Sequence, residues 1–195
     1  MLKGIDISNW QRGLNIASTG AEFVIIKATQ GTGFVDPSCD VHYQSAKALG
    51  KKLGVYHYAS GGDPITEADF FVNNTKGYHN EAILVLDWES NQNARFNEHA
   101  SWCLAFLARV YQRTGIKGVI YMSASVIRAA DWSALVRNDY GLWVAGYPDN
   151  RNSWDIPDFP YSISPWSFFA LWQYTSSAGT LDRNIFTGDQ GAWDR

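Results

Sequence analysis

Two carboxylates stand two residues apart at the end of an apolar run, Ile83-Leu84-Val85-Leu86-Asp87-Trp88-Glu89. An apolar run that breaks off this sharply reads as a strand buried on both faces, the kind parallel sheets use. Side chains alternate along a strand, so Asp87 and Glu89 share a face, roughly 6.6 Å apart along the chain. Two acids delivered to the mouth of a buried strand suit glycosidic bond cleavage, in which one group donates a proton and another handles positive charge. The plainer reading is a strand exit into solvent, and D-x-E alone is a weak motif.

The elements needed to position such a pair are legible around it. Apolar runs predict strands over Gly4–Ile7, Phe23–Ala28, Leu53–Tyr58, Ile83–Trp88, Val119–Met122, Leu142–Ala145, Ala170–Tyr174 and Leu181–Phe186. Helical patterns separate the earlier ones. Asp36-Pro37 reads as N-cap and N1 of a helix that Gly50 stops. Thr66 with Asp69 resembles a capping box, and Ser125–Ala130 a short helix. Asn97 reads as the cap of a long helix carrying Trp102, Phe106 and Val110, with Gly115 as its end. Eight strands, mostly parallel, predict an α/β fold: an irregular TIM-like (β/α) barrel with reduced helix content in the last third, because the helical pattern disappears after Gly146. Gly146 to Trp166, with Tyr147, Trp154, Phe159 and Tyr161, is expected to form a wall of a binding groove.

In such a barrel the strand ends meet at one mouth. Asp6, Asp87, Glu89 and Asp182 then converge there, with the first and last strands adjacent across the closure seam and the Asp87 strand opposite. Lys27 is a candidate counter-charge for Asp6 and Asp182, which would otherwise repel. Tyr56 and Tyr58 share a strand face and are candidates for hydrogen bonding at the mouth, with core filling the equal alternative for either. Trp10, Trp143, Tyr147 and Trp172 are candidates for stacking on sugar rings, against the plainer alternative of core packing. His57, among aromatics on a buried strand, reads as a hydrogen-bonded core residue.

Composition narrows the partners. The formal charge of −3 argues against nucleic acid. Nine Trp, ten Tyr and ten Phe in 195 residues exceed the usual needs of a core this size and favour a sugar-binding groove. One domain spanning 1–195 and a monomer are expected. No apolar run has the length of a transmembrane helix, so no membrane insertion is expected. The four histidines lack metal-ligand spacing, and no phosphate loop or nucleophile elbow is present, so neither metal nor cofactor is expected. Cys39 and Cys103 are expected to stay unpaired.

Six ordered blocks carry a resemblance. Gly4-Ile5-Asp6-Ile7-Ser8-Asn9-Trp10-Gln11, Phe23-Val24-Ile25-Ile26-Lys27-Ala28-Thr29-Gln30-Gly31-Thr32-Gly33, Gly54-Val55-Tyr56-His57-Tyr58-Ala59, Leu84 to Glu89, Leu142-Trp143-Val144-Ala145-Gly146-Tyr147 and Leu171-Trp172-Gln173-Tyr174-Thr175 resemble the glycoside hydrolase family 25 muramidases, the Chalaropsis-type lysozymes, over essentially the whole chain. The resemblance implies cleavage of the β-1,4 bond between N-acetylmuramic acid and N-acetylglucosamine in bacterial peptidoglycan. It implies Glu89 as general acid/base and Asp87, Asp6 and Asp182 as the remaining acidic site residues. Arg183 departs from the family's apolar preference, and alternation turns it away from Asp182.

Two routes fit these residues. A carboxylate attacks the anomeric carbon or activates water, or the sugar's own acetamido oxygen attacks while a carboxylate orients it. Paired acids on one strand favour the second, with Asp182 available across the cleft for the first. The rival functions are a chitinase- or glucosaminidase-like hydrolase and a catalytically silent wall-binding module. The chitinase pattern places acids where Val85 and Ala82 stand here, and a silent module would be expected to lose a key acid. The opening Met1-Leu2-Lys3-Gly4-Ile5-Asp6 enters a strand at once, with no signal-peptide pattern. The expectation is therefore synthesis in a host cytoplasm and action on the wall after release, as for a phage endolysin or tail component. A domain of a longer bacterial autolysin is the alternative.

Overall fold

The computed structural model describes residues 1–89, 99–176 and 181–194. Nine strands form one sheet: β1 (Leu2–Ile7), β2 (Phe23–Gln30), β3 (Phe34–Val35), β4 (Lys52–Tyr58), β5 (Ala82–Asp87), β6 (Val119–Ser123), β7 (Gly141–Ala145), β8 (Leu171–Thr175) and β9 (Asp182–Phe186). All but β3 close into an eight-stranded barrel, because β1 pairs with both β2 and β9. The short β3 hangs antiparallel on the end of β2. Each of the eight predicted strands is present within one or two residues of its expected bounds.

The last strand runs backwards. β9 is antiparallel to β1 and to β8, whereas the other barrel pairs are parallel. A five-residue strand that follows β8 after a short connection has no room for a crossover helix, so it returns as a hairpin. The reversal puts the start of β9, not its end, at the barrel mouth, and pairs Asp182 with Asp6.

Helices α1 (Cys39–Ala48), α2 (Pro64–Asn74) and α3 (His99–Thr114) cover the barrel beside β2, β4 and β5. Outward residues Ile5, Val24, Ile26, Val55, Leu84 and Leu86 pack against helix residues such as Tyr43, Phe71, Phe106 and Val110. The Trp102, Phe106, Val110 spacing is buried as expected. Gly115 closes α3 at a positive φ of 74°, its N–H returning to the Tyr111 carbonyl. The Asn97 cap lies outside the described residues. Two other helix starts differ from expectation. Ser38, not Asp36, stands at the N-cap position of α1, and Asp63 caps α2 by accepting from the Thr66 N–H, with Pro64 as N1. Asp69 instead receives Arg109 from α3 at 2.8 Å.

His57 points out of the barrel and is fully buried, bonded to Thr29 Oγ1 at 2.8 Å and Glu67 Oε2 at 3.0 Å. Cys39 and Cys103 are buried free thiols. Two short helices unseen in the sequence, α5 (Ser133–Arg137) and α6 (Gln190–Trp193), follow α4 (Ala124–Ala129) and β9 respectively. Beside β8 the covering layer is irregular: Trp154, Phe159, Tyr161 and Ile163 pack on the main core where a helix would lie in a regular barrel. The stretch is therefore chiefly a lid on the outside of the barrel, and only Tyr147 of the expected groove wall lines the cavity.

Inside the barrel, Leu2, Phe23, Ile25, Val85 and Leu171 form an apolar lower plug, joined by Trp193 of α6. Gly4 leaves room for Phe23, whose ring carbons lie 2.4 Å from where a Cβ would stand. Gly4→Ala is expected to cost about 1–3 kcal/mol through overpacking, read as a lowered urea midpoint with an unchanged slope.

Candidate active site

Above the plug the inward positions turn polar. A cavity of about 390 Å³ opens at the strand ends, lined by Asp6, Ser8, Trp10, Lys27, Tyr56, Tyr58, Asp87, Glu89, Tyr121, Trp143, Tyr147, Gln173, Ser176 and Asp182. All four acids singled out in the sequence meet there, along with every aromatic and cationic candidate except Trp172.

Asp87 ends β5, and Glu89 lies just past it, held in line by Trp88, whose N–H continues the pairing to the Tyr121 carbonyl at 3.0 Å. The Trp88 ring faces outward against Trp102, 4.9 Å between centroids, as alternation requires. Burial is the first cause that raises the pKa of Glu89 above the ordinary carboxylate value, and the Asp6 charge adds to it. A hydrogen bond from Tyr58 and the Lys27 charge oppose the rise. Asp87 is only 8 % exposed. Its pKa is driven well above the usual range by burial, then by Glu89 and Asp6, with Lys27 opposing. The Asp87 Oδ1 atom has no hydrogen-bond partner among the described residues. A buried carboxyl oxygen without a partner is costly, and Asp87 carries one at the wall of the cavity.

Lys27 serves the other side of the cavity from the one expected. Its Nζ donates to Gln30 Oε1 at 2.8 Å and lies 4.7 Å from the Tyr58 ring centroid. Burial lowers its pKa, while Asp87, Asp36 and Glu89 hold it up. β2 carries Lys27 beyond the level of Asp6, which pairs with Ile25, so the ammonium reaches the β5 acids instead of the seam.

The seam acids are handled by amides. Asp6 Oδ2 accepts from Gln173 Nε2 at 2.8 Å and from Asn184 Nδ2 at 2.7 Å. Gln173 Oε1 in turn accepts from the hydroxyls of Tyr121 at 2.9 Å and Tyr147 at 2.5 Å. Burial raises Asp6, and both amide bonds pull it back. Burial and the Asp6 charge push Asp182 up to about 8. Arg183 turns away as alternation predicts, its guanidinium 4.2 Å from the Trp154 ring centroid.

The aromatic candidates divide. Trp10 is 87 % exposed at the rim, on a short 3-10 turn (Asn9–Gln11) that Ser8 and Gln11 cap and that Asp36 Oδ2 holds through the Asn9 N–H at 2.9 Å. It is the side chain best placed to offer a flat face to a sugar. Trp143 lines the cavity but is buried, edge-on to Tyr121 and donating from Nε1 to Asn184 Oδ1 at 2.9 Å. It supports the site from below and has no free face. Trp172 is misassigned by the sequence reading. It lies outside the barrel at 1 % exposure, under Phe159, and donates to the Gly146 carbonyl at 2.9 Å. Its strand neighbour Gln173 points inward in its place. Gln173, Asn184, Tyr121, Ser8 and Ser176 are the polar groups of the site that the sequence reading missed. Inward parity on predicted strands was the signal for the first three.

A family model for glycosyl hydrolases family 25 matches residues 5–182. The chain is 30% identical over 211 residues to Lysozyme M1 of Streptomyces globisporus, covering 96% of this chain and 68% of that protein. It is 34% identical over 141 residues to the N,O-diacetylmuramidase of Chalaropsis sp, covering 64% of this chain and 67% of the relative. The solved bacterial lysozyme from Streptomyces coelicolor superposes with a TM-score of 0.82 at 29% identity, covering 98% of this chain and 94% of that one.

The Asp182 environment has a measurable consequence for stability. An unfolded aspartate ionises near 3.9 and the native Asp182 near 8, so between these values the native state holds the extra proton. Stability from this group is then lost as pH rises toward about 8. His57, with a lowered native pKa, acts only below about 6.5, where the unfolded imidazole takes a proton. Urea midpoints of the wild type are expected to fall from about pH 6.5 to 8, with a shallower fall in Asp182→Asn.

Proposed function

The chain belongs to family 25 of the glycosyl hydrolases and is a peptidoglycan muramidase, and on that premise we propose that Glu89 is its general acid/base and Asp87 the group that enlists the substrate's own acetamide. The observation that carries the reading is the pairing of two carboxyls at the end of β5, Asp87 buried and Glu89 half-buried, both lining the cavity and Glu89 pushed toward its protonated form by burial.

Glu89 holds its proton to a higher pH than an ordinary carboxyl and gives it to the glycosidic oxygen as the bond to the anomeric carbon breaks. Asp87, which lines the cavity, accepts the acetamido N–H of the muramic acid residue, which turns the acetamido carbonyl oxygen toward the anomeric carbon. That oxygen attacks as the leaving group departs. Positive charge then develops on the acetamide, and the hydrogen bond to Asp87 strengthens in step. Water later opens the cyclic intermediate, with Glu89 as base, and the anomeric configuration is retained. Asp87 and Glu89 leave the same strand end on one side of the cavity, which supports this route over direct attack from the opposite face. Trp10 supplies the stacking face at the rim.

Reduced-end-blocked peptidoglycan digested with wild type is expected to show new muramic acid reducing ends by mass spectrometry. Glu89→Gln is expected to lower their release by about 10²–10⁴-fold. New glucosamine ends would instead make the enzyme a glucosaminidase, and wall binding without new ends would make it a binding module. An anomer-resolved NMR time course is expected to show the retained product first, and an inverted first product would overturn the role given to Asp87.

A further inference from the structure

Asp6 and Asp182 are direct partners in the β1–β9 register, and both face the cavity. Opposed residues of an antiparallel pair have Cβ atoms about 4.5–5.5 Å apart, so two anionic carboxylates there repel strongly. Such a pair settles by keeping one proton between them. The structure shows which partner gives up its charge.

The surroundings of the two acids are unequal. Two amide donors converge on a single oxygen, Asp6 Oδ2. Gln173 supplies one of these donors while its Oε1 accepts from the hydroxyls of Tyr121 and Tyr147. The other amide is not free to turn over. Asn184 would have to present its NH2 to the Trp143 indole N–H, which only donates. Asp6 Oδ2 therefore meets the Asn184 N–H whatever the orientation of Gln173, and N–H groups stabilise a negative oxygen and resist a proton on it. On Asp182 the forces are burial and the Asp6 charge, both of which favour its neutral form.

The other ionisable groups around the cavity leave this inequality in place. Lys27 on β2 acts on Asp87 and Glu89. Tyr56 and Tyr58 on β4, Tyr121 on β6 and Tyr147 after β7 all have raised pKa values and stay neutral. Asp87 at the end of β5 and Glu89 just past it can only add repulsion.

We propose that Gln173 and Asn184 are positioning residues that keep the charge of the seam pair on Asp6, so that Asp182 meets the glycan as a neutral carboxylic acid donating a hydrogen bond. The part about the glycan rests on the muramidase reading, whereas the ionisation pattern does not. A neutral donor suits a sugar hydroxyl or carbonyl oxygen, and it keeps one negative charge from the seam near the reacting centre instead of two. Asn184, which is fully buried and does not line the cavity, acts only through Asp6 and Asp182.

The test is a titration of the full chain, without substrate, labelled with carbon-13 at the aspartate carboxyls and followed by NMR. Asp6→Asn and Asp182→Asn assign the two resonances. Asp6 is expected to ionise first, and Asp182 with a midpoint near 8. Asp182 titrating in the ordinary range near 4, or before Asp6, would overturn the proposal. Gln173→Leu, which removes one donor, is expected to bring the two midpoints closer by about one unit, a tenfold change in proton affinity. Unchanged midpoints in a folded Gln173→Leu would remove Gln173 from its role. The wild-type curves alone decide the order of ionisation if that variant fails to fold. Absent muramic acid ends with these curves intact would sink the muramidase reading and leave the ionisation pattern standing, while release of ends with an ordinary Asp182 would do the reverse.

Discussion

Four carboxyls in one small cavity oppose their own placement: each loses hydration, and each raises the cost of charging the next. Much of what surrounds the cavity answers that repulsion. The β5 pair is answered by the Lys27 ammonium and the Tyr58 hydroxyl. The seam pair is answered by two amides anchored from behind by Tyr121, Tyr147 and Trp143. What neither device neutralises is left as protons on the acids, and a retained proton is what a general acid at the barrel mouth requires. In this site the electrostatic cost of assembly and the proposed chemistry share one origin.

The strand reversal is what allows the crowding. In a fully parallel barrel an acid at the start of the last strand would sit at the bottom, among the apolar side chains of the plug. By returning as a hairpin, β9 delivers Asp182 and Asn184 to the level of Asp6 and Gln173. The reversal also removes the crossover helix, and the outside of β8 is left to irregular chain. Trp154, Phe159 and Tyr161 cover that face, and aromatic side chains bury the most area per residue where no helix is available to do it. Part of the unusual aromatic content therefore serves the shell and not the sugar.

The barrel strands were readable because each is an unbroken apolar run, and burial on both faces leaves no other reading for runs of that length. The four acids were readable because they interrupt those runs. The missing helical pattern after Gly146 pointed to loops or hairpins between the last strands, but not to which strand turns back, and the antiparallel β9 had to be seen. Helix caps were shifted because several short polar residues stand near each helix start, and only geometry shows that Asp63 bonds the Thr66 N–H while Asp36 bonds the Asn9 and Ser38 N–H groups. Trp172 and Gln173 show the limit most clearly. Both lie on a strand whose two faces are buried, and hydropathy alone does not tell which face meets the barrel interior. The large aromatic was assigned to the site, yet it is the small amide that reaches it.

Glu89 stands one step beyond the regular sheet, and its placement depends on what backs it. The Trp88 N–H bonds the Tyr121 carbonyl in the middle of β6, and its ring is clamped by Trp102 from α3. Trp102 in turn donates to the Gly62 carbonyl at 2.7 Å, in the loop that follows β4. The same loop is held from below by Glu67, which takes the N–H groups of Ser60 and Gly62 on its two oxygens and His57 on one of them. A buried carboxylate is costly without partners, and here three donors satisfy it. The chain of contacts from Glu67 through Gly62, Trp102 and Trp88 thus ties the strand end to β4, the strand that also carries Tyr58, the hydrogen-bond partner of Glu89. A proton donor must stay within hydrogen-bond reach of its leaving oxygen, and rigid elements hold that tolerance better than a loose loop does. The buried histidine and glutamate, remote from the cavity, belong to the support on which the proposed acid rests.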